Sequence, residues 1–230
     1  LVVDPYCGGG TTGLESMLLE RRFIGYDINP FAIFISRVKT TKLDGNTLLS
    51  SLENVMKPAA RRTRILDEWD ERCLGEQIAD EISSIYENIE RLQDQRSVKN
   101  FFKLALIHTI KIVGRRDFND DAQHLPLFMM HVEGRSIRSL FKRKALSMIK
   151  QLSSLPPARF KPIFRLGNNQ AMKIADEAAD LIVTSPPYKD IDVEYSLIQI
   201  QRPELSKSKR SDVVWKIVEK KPVPKTCLLY

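Results

Sequence analysis

The sequence predicts an α/β fold: a partial doubly wound parallel sheet of about four strands with a large helical insertion. Three observations predict it. Residues 1–30 run strand, glycine loop, helix, strand, acid, which is half of a doubly wound nucleotide-binding fold. Residues 45–159 abandon that alternation and repeat apolar side chains at helical spacing. From residue 160 the strand pattern returns. The expected segments are 1–44 (first half of the sheet domain), 45–159 (helical insertion) and 160–230 (second part, with a basic tail).

Leu1-Val2-Val3 is apolar and β-branched, and Asp4-Pro5 ends it. Tyr6-Cys7-Gly8-Gly9-Gly10-Thr11-Thr12-Gly13 follows. Leu14 to Arg21 is expected to be a short helix with Leu14, Met17 and Leu18 on one face. Phe23-Ile24-Gly25-Tyr26 is a second strand ending at Asp27, and Asn29-Pro30 opens the next helix with proline in its first turn. Glycines without Cβ let the backbone approach a ligand with its N–H groups free, and an acid at the next strand's tip can accept both hydroxyls of a ribose. Gly8-x-Gly10-x-x-Gly13 also fits the dinucleotide fingerprint. On this stretch alone a nicotinamide enzyme is an alternative, and so is a glycine-rich turn that binds nothing.

The insertion reads as three helices. Gly75 to Gln95 carries Ile78, Ile82, Ile85, Ile89 and Leu92 on one stripe. Val98 to Val113 is apolar nearly all round and belongs in a core. Gly134 to Ser153 sets Ile137, Leu140, Phe141, Leu146 and Ile149 against Arg135, Arg138, Lys142, Arg143, Lys144 and Lys150. That basic face either meets phosphates or is simply solvated. His108 reads as a core residue, and His124 and His131 have no carboxylate or cysteine at a useful spacing.

Pro162 to Asn168 is a third strand ending in a Gly-Asn turn, and Gln170 to Ala175 is a short helical turn. Ala179-Asp180-Leu181-Ile182-Val183 reads as a buried fourth strand. It runs into Thr184-Ser185-Pro186-Pro187-Tyr188, where two prolines stop the ladder and fix φ. This rigid turn offers the Ser185 hydroxyl, proline carbonyls and the flat face of Tyr188. A planar ring with an exocyclic amine could use all three, which is how an enzyme would hold a flipped-out base. The plain alternative is a Pro-Pro turn with a surface tyrosine. The commonest doubly wound order places the first and fourth strands side by side, so the glycine loop and this turn would open on one crevice. Beyond Tyr188, the segment from Arg202 to Arg210 is polar and basic and is expected to be a mobile loop.

Composition sets bounds. The 230 residues are 43% hydrophobic and 28% charged, as in an ordinary soluble globular protein. The formal net charge of +7 suits a polyanionic partner. Cys7, Cys73 and Cys227 form no CxxC and join no histidine at zinc spacing, so neither a metal site nor a disulfide framework is expected, in keeping with a reducing cytoplasm. No run is long and apolar enough for a membrane span.

Asp4-Pro5-Tyr6-Cys7-Gly8-Gly9-Gly10-Thr11-Thr12 resembles the cofactor motif of the DNA amino-methyltransferases, which methylate cytosine N4 or adenine N6 with S-adenosylmethionine. Asp27-Ile28-Asn29-Pro30 resembles that family's second cofactor motif. Ser185-Pro186-Pro187-Tyr188 resembles its catalytic motif, with serine first as in cytosine-N4 enzymes. The resemblance implies a Rossmann-like methyltransferase sheet and a target-recognition region within the insertion. It implies Ser185, Pro186, Pro187 and Tyr188 as catalytic residues. It implies Asp4, Pro5, Tyr6, Cys7, Gly8, Gly10, Thr11, Thr12, Asp27, Ile28, Asn29 and Asn168 around S-adenosyl-L-methionine. Tyr6 stands where phenylalanine is usual, and Asn168 where aspartate is common. The implied partner is DNA, with RNA not excluded, and a restriction endonuclease or a complementary fragment beside it. The chain starts at Leu1 within a core strand and shows four strands of the family's seven, so it is expected to be a partial chain. The alternatives are an RNA-base or glutamine-amide methyltransferase, and a remnant that only binds nucleic acid.

Overall fold

The computed structural model describes residues 1–58, 65–66, 71, 74, 76–93, 95–114, 136–186, 198–200, 209–211 and 213–219. The chain divides into two compact units. One comprises the described residues of Leu1–Lys42, Leu152–Ser196 and Val218–Tyr230, and the other those of Leu43–Gln151 and Leu197–Ile217. Within the stretch 160–230, the described residues 198–200, 209–211 and 213–217 cluster with the helical unit.

The sheet unit holds β1 (Val2–Asp4), α1 (Thr11–Leu18), β2 (Phe23–Asp27), α2 (Pro30–Thr40), β3 (Ile163–Leu166) and β4 (Leu181–Ile182). Its four strands lie in the order β3-β2-β1-β4. All are parallel, with Val2 opposite both Phe23 and Leu181, and Ile24 opposite Ile163. This is the partial doubly wound sheet, and β1 and β4 are neighbours as the common order requires. Val2, Cys7, Phe23, Ile33 and Phe164 form its core cluster. The Phe23 and Phe164 rings are tilted with centroids 5.5 Å apart.

Two expectations fail here. α1 buries Gly13, Ser16 and Met17, while Leu18 is 40% exposed. The helix starts at Thr11, and the glycine at position 13 sets the contact face by letting α1 approach the Phe rings of the sheet. β4 was expected to be buried, yet Leu181, Ile182 and Val183 are 53%, 60% and 43% exposed. β4 is an edge of this sheet, so its apolar run lacks a second neighbour among the described residues.

The helical unit holds α3 (Gly45–Val55), α4 (Glu76–Arg91), α5 (Arg96–Gly114), α6 (Ile137–Ser153), β5 (Ile198–Ile200), β6 (Lys209–Ser211) and α7 (Val213–Val218). Ile82, Ile85 and Ile89 of α4 are fully buried, as are Phe101, Phe102, Leu106, Ile107 and Ile110 of α5 and Phe141 of α6. α5 is buried nearly all round, as its composition requires. Asn88 Nδ2 donates to the carbonyls of Val55 (3.0 Å) and Lys57 (2.6 Å), closing the C-terminal end of α3 from α4. β5 and β6 pair antiparallel, Ile198 opposite Ser211. Of the segment expected to be a mobile basic loop, residues 202–208 lie outside the described residues, and Lys209 and Arg210 belong to a strand of three polar residues that carries no alternation to read.

Candidate active site

The glycine loop begins where β1 ends. Asp4 is buried and accepts the Tyr6 N–H through Oδ1 at 3.1 Å, which turns the chain over Pro5. Cys7 N–H donates to the Tyr26 carbonyl at 2.9 Å, tying the loop to β2. The Cys7 side chain points into the core cluster. Burial, then the charges of Asp27 and Asp4, push its thiol far up, so Cys7 contributes backbone to the loop and no thiolate.

Gly10 caps α1 at φ +76°, in the left-handed region that favours glycine. A Cβ there would lie 2.6 Å from Ser36 Cβ and Oγ. Gly13 has a different reason to be glycine: its Cβ would meet Phe164 at 2.6 Å and Phe23 at 2.9 Å. A close loop approach and a close helix–sheet contact are two of the three glycine roles in a nucleotide-binding turn.

Asp27 sits at the tip of β2. Its Oδ2 accepts the Gly8 N–H at 2.9 Å and its Oδ1 the Asn29 N–H at 2.7 Å. Each oxygen keeps a lone pair. Burial raises the carboxyl above the ordinary range, against the pull of these two donors. Asn29 Oδ1 accepts the Phe31 N–H at 2.9 Å and caps α2, with Pro30 in its first turn and Ile28 half-buried between.

The sequence reading missed two residues that hold the loop from α2. Ser36, fully buried, donates to the Gly8 carbonyl at 2.8 Å, and Lys39 Nζ donates to the Gly9 carbonyl at 2.8 Å. Burial lowers the Lys39 ammonium. Their i, i+3 spacing puts them on one helix face but does not reveal the carbonyls they meet.

β3 brings the Asn turn to the loop. Asn168 Oδ1 accepts the Gln170 N–H at 2.9 Å, and the residue is exposed. Asn169 Nδ2 donates to the Tyr6 hydroxyl at 2.6 Å, so the hydroxyl that distinguishes Tyr6 from phenylalanine is used. Asn169 Oδ1 is buried with no hydrogen-bond partner among the described residues. An orphaned acceptor beside a glycine loop and an acid-tipped strand is what a nucleoside with an exocyclic amine would satisfy. Thr11 is exposed and Thr12 half-buried at the start of α1.

β4 continues into Ser185 and Pro186, both exposed. The Val183 N–H donates to the Val3 carbonyl at 3.0 Å, so β1 and β4 stay paired to the point where each becomes a loop. The glycine loop and the Ser-Pro turn therefore leave the same end of adjacent strands. Pro187 and Tyr188 lie outside the described residues, as do His124 and His131. His108 is half-buried, and burial with Lys144 and Lys111 nearby holds it down to about 4.

Residues 1–37 match a family described as DNA methylase, and this stretch spans β1 through most of α2. Along 208 residues the chain is 22% identical to the type II methyltransferase M.MvaI of Kocuria varians, covering 81% of this chain and 46% of that protein. The chain thus spans less than half the length of this curated relative. No solved structure matches it significantly. The family match thus covers the glycine loop and the strands and helices around it, and the weaker similarity runs along most of the chain.

Proposed function

We propose that the protein transfers a methyl group from S-adenosylmethionine to an exocyclic amine of a base in DNA, cytosine N4 in preference to adenine N6. The observation that carries this is the pairing of β1 with β4, which sets the glycine loop beside the Ser185-Pro186 turn. DNA as substrate comes from the family's description, and methyl transfer also from the relative's name as a type II methyltransferase. The cytosine preference rests on serine opening the motif.

S-adenosylmethionine supplies a methyl already activated on a sulfonium. Asp27, ionised, would accept the ribose hydroxyls with the lone pairs its backbone donors leave free. Asn168 and Asn169 would meet the adenine, Asn169 through its orphaned Oδ1. Asp4, Pro5, Tyr6, Cys7, Gly8, Gly10, Thr11 and Thr12 would line the rest. The amine of a base is a poor nucleophile because its lone pair is delocalised into the ring. The Ser185 oxygen and the Pro186 carbonyl would accept its N–H bonds and draw the nitrogen toward sp³. The nitrogen would then take the methyl as the methyl–sulfur bond breaks, the sulfur leaving as a neutral thioether, and would release one proton to solvent. Tyr188 would stack on the flipped base and Pro187 would restrict the chain before it, so positioning would supply most of the rate.

Calorimetry with S-adenosylmethionine tests the cofactor half. Saturable binding by the wild type and its loss in Asp27→Ala, at a temperature where both remain folded, is the expected result. Binding unaffected by the substitution would remove Asp27 from the site. Methyl transfer to duplex DNA should then fall much further in Tyr188→Ala than in Tyr188→Phe, since stacking is worth about 1–3 kcal/mol per base. Equal activities would end the stacking role.

A further inference from the structure

α6 carries Arg138, Lys142, Arg143, Lys144 and Lys150 and no acid at all. By contrast, α4 carries Glu76, Asp80, Glu81, Glu87 and Glu90 against Arg91 alone. Charge in the helical unit is therefore segregated by helix. A merely solvated helix gains from mixed signs at i, i+4, and an all-positive one loses by self-repulsion.

The five cations of α6 are not equivalent. Arg138 is half-buried and donates to the carbonyls of Met56 (3.0 Å) and Lys57 (3.3 Å) and to Ser84 Oγ, so it braces the unit from within. Lys144 is half-buried and lies close enough to His108 to depress it. Lys142, Arg143 and Lys150 are exposed, Arg143 and Lys150 on the face opposite Phe141, Ala145 and Ile149 and Lys142 on its flank. Ser139, Leu146 and Ser147 complete that exposed face. From Lys142 to Lys150 is about 12 Å along the axis at 1.5 Å per residue, close to the width of the major groove of B-form DNA.

We propose that the Lys142, Arg143 and Lys150 row of α6 is a docking surface for the phosphate backbone of duplex DNA. This deepens the methyl-transfer reading by naming where the substrate's backbone is held, and it rests on that reading for the choice of DNA. The row reads no sequence: phosphate contacts fix register, and specificity must come from elsewhere.

The test is binding of a labelled duplex of arbitrary sequence across a salt series. The triple variant Lys142→Gln, Arg143→Gln, Lys150→Gln keeps good helix formers on an exposed face. A control triple, Arg21→Gln, Lys42→Gln, Lys161→Gln, removes the same charge from exposed positions of the sheet unit. The slope of log affinity against log salt should fall by about 2.7 in the α6 variant, about 0.9 for each phosphate that is no longer neutralised. It should stay unchanged in the control. Equal slopes in the two triples, or competition by polyglutamate as effective as by duplex, would overturn the proposal. Cofactor calorimetry on the same preparations separates the two claims. A reduced α6 slope without cofactor binding sinks methyl transfer and keeps the row; cofactor binding with an unreduced slope sinks the row alone.

Discussion

Gly9 and Gly10 lie in the loop and Gly13 in the first turn of α1, and the space around each differs, which gives a graded test. Gly9→Ala meets nothing within 4 Å and should change stability by less than about 0.5 kcal/mol. Gly13→Ala drives a Cβ into the Phe164 and Phe23 rings and should cost about 1–3 kcal/mol in urea unfolding. Gly10→Ala adds an unfavourable positive φ to the Ser36 clash and should cost at least as much and weaken cofactor binding too. If all three melted alike, the loop would not be packed as described. Asp27 adds a pH dependence. Its folded pKa is raised, so stability from this residue is greatest at low pH and declines as pH rises through that value. Cofactor affinity should run the other way, since only the carboxylate accepts ribose hydroxyls. It should fall on acidification at a pH above the ordinary carboxylate range, and a dissociation constant flat through that range would contradict the ribose contact. At this scale the sequence revealed Asp4, Asp27 and the glycines because backbone geometry demands those residue types. It hid Ser36, Lys39 and Asn169, whose roles depend on which carbonyl or hydroxyl lies opposite and leave no local pattern.

Helices of the insertion were legible because long amphipathic periods average out single-residue noise, and α4 and α5 begin and end within a few residues of expectation. How they are joined was not. Asn88 lies in the last turn of α4, beside the buried Ile85 and Ile89. The structure makes it the group that satisfies two carbonyls at the end of α3. Asn88→Leu should therefore destabilise the protein despite adding apolar volume, by about 1–3 kcal/mol for the stranded carbonyls. A melting temperature raised by the substitution would show that the amide is dispensable. The β5–β6 ribbon and α7 were missed for a related reason: elements of three to six residues are shorter than the periods that would identify them. β4 was found but misjudged, since an apolar run reports what a strand could bury and says nothing of what lies beside it.

The whole sheet turns on long-range pairs: Val2 with Leu181 and Ile24 with Ile163. Its two positions of contrasting burial make a simple test. Val3 is 1% exposed and Ile182, its register partner, 60%. Val3→Lys should abolish cooperative unfolding of the sheet unit, whereas Ile182→Lys should shift stability by less than about 0.5 kcal/mol. A comparable loss from both would mean that β4 is covered in solution. The same pairings bear on how the protein is made. At about 5–20 residues per second, β1 and β2 leave the ribosome roughly ten to thirty seconds before β4 and β3 exist to flank them. Local helix contacts of the insertion form in the meantime. A chain built this way holds its glycine loop on half a sheet with open edges for that interval, exposed to pairing with other chains.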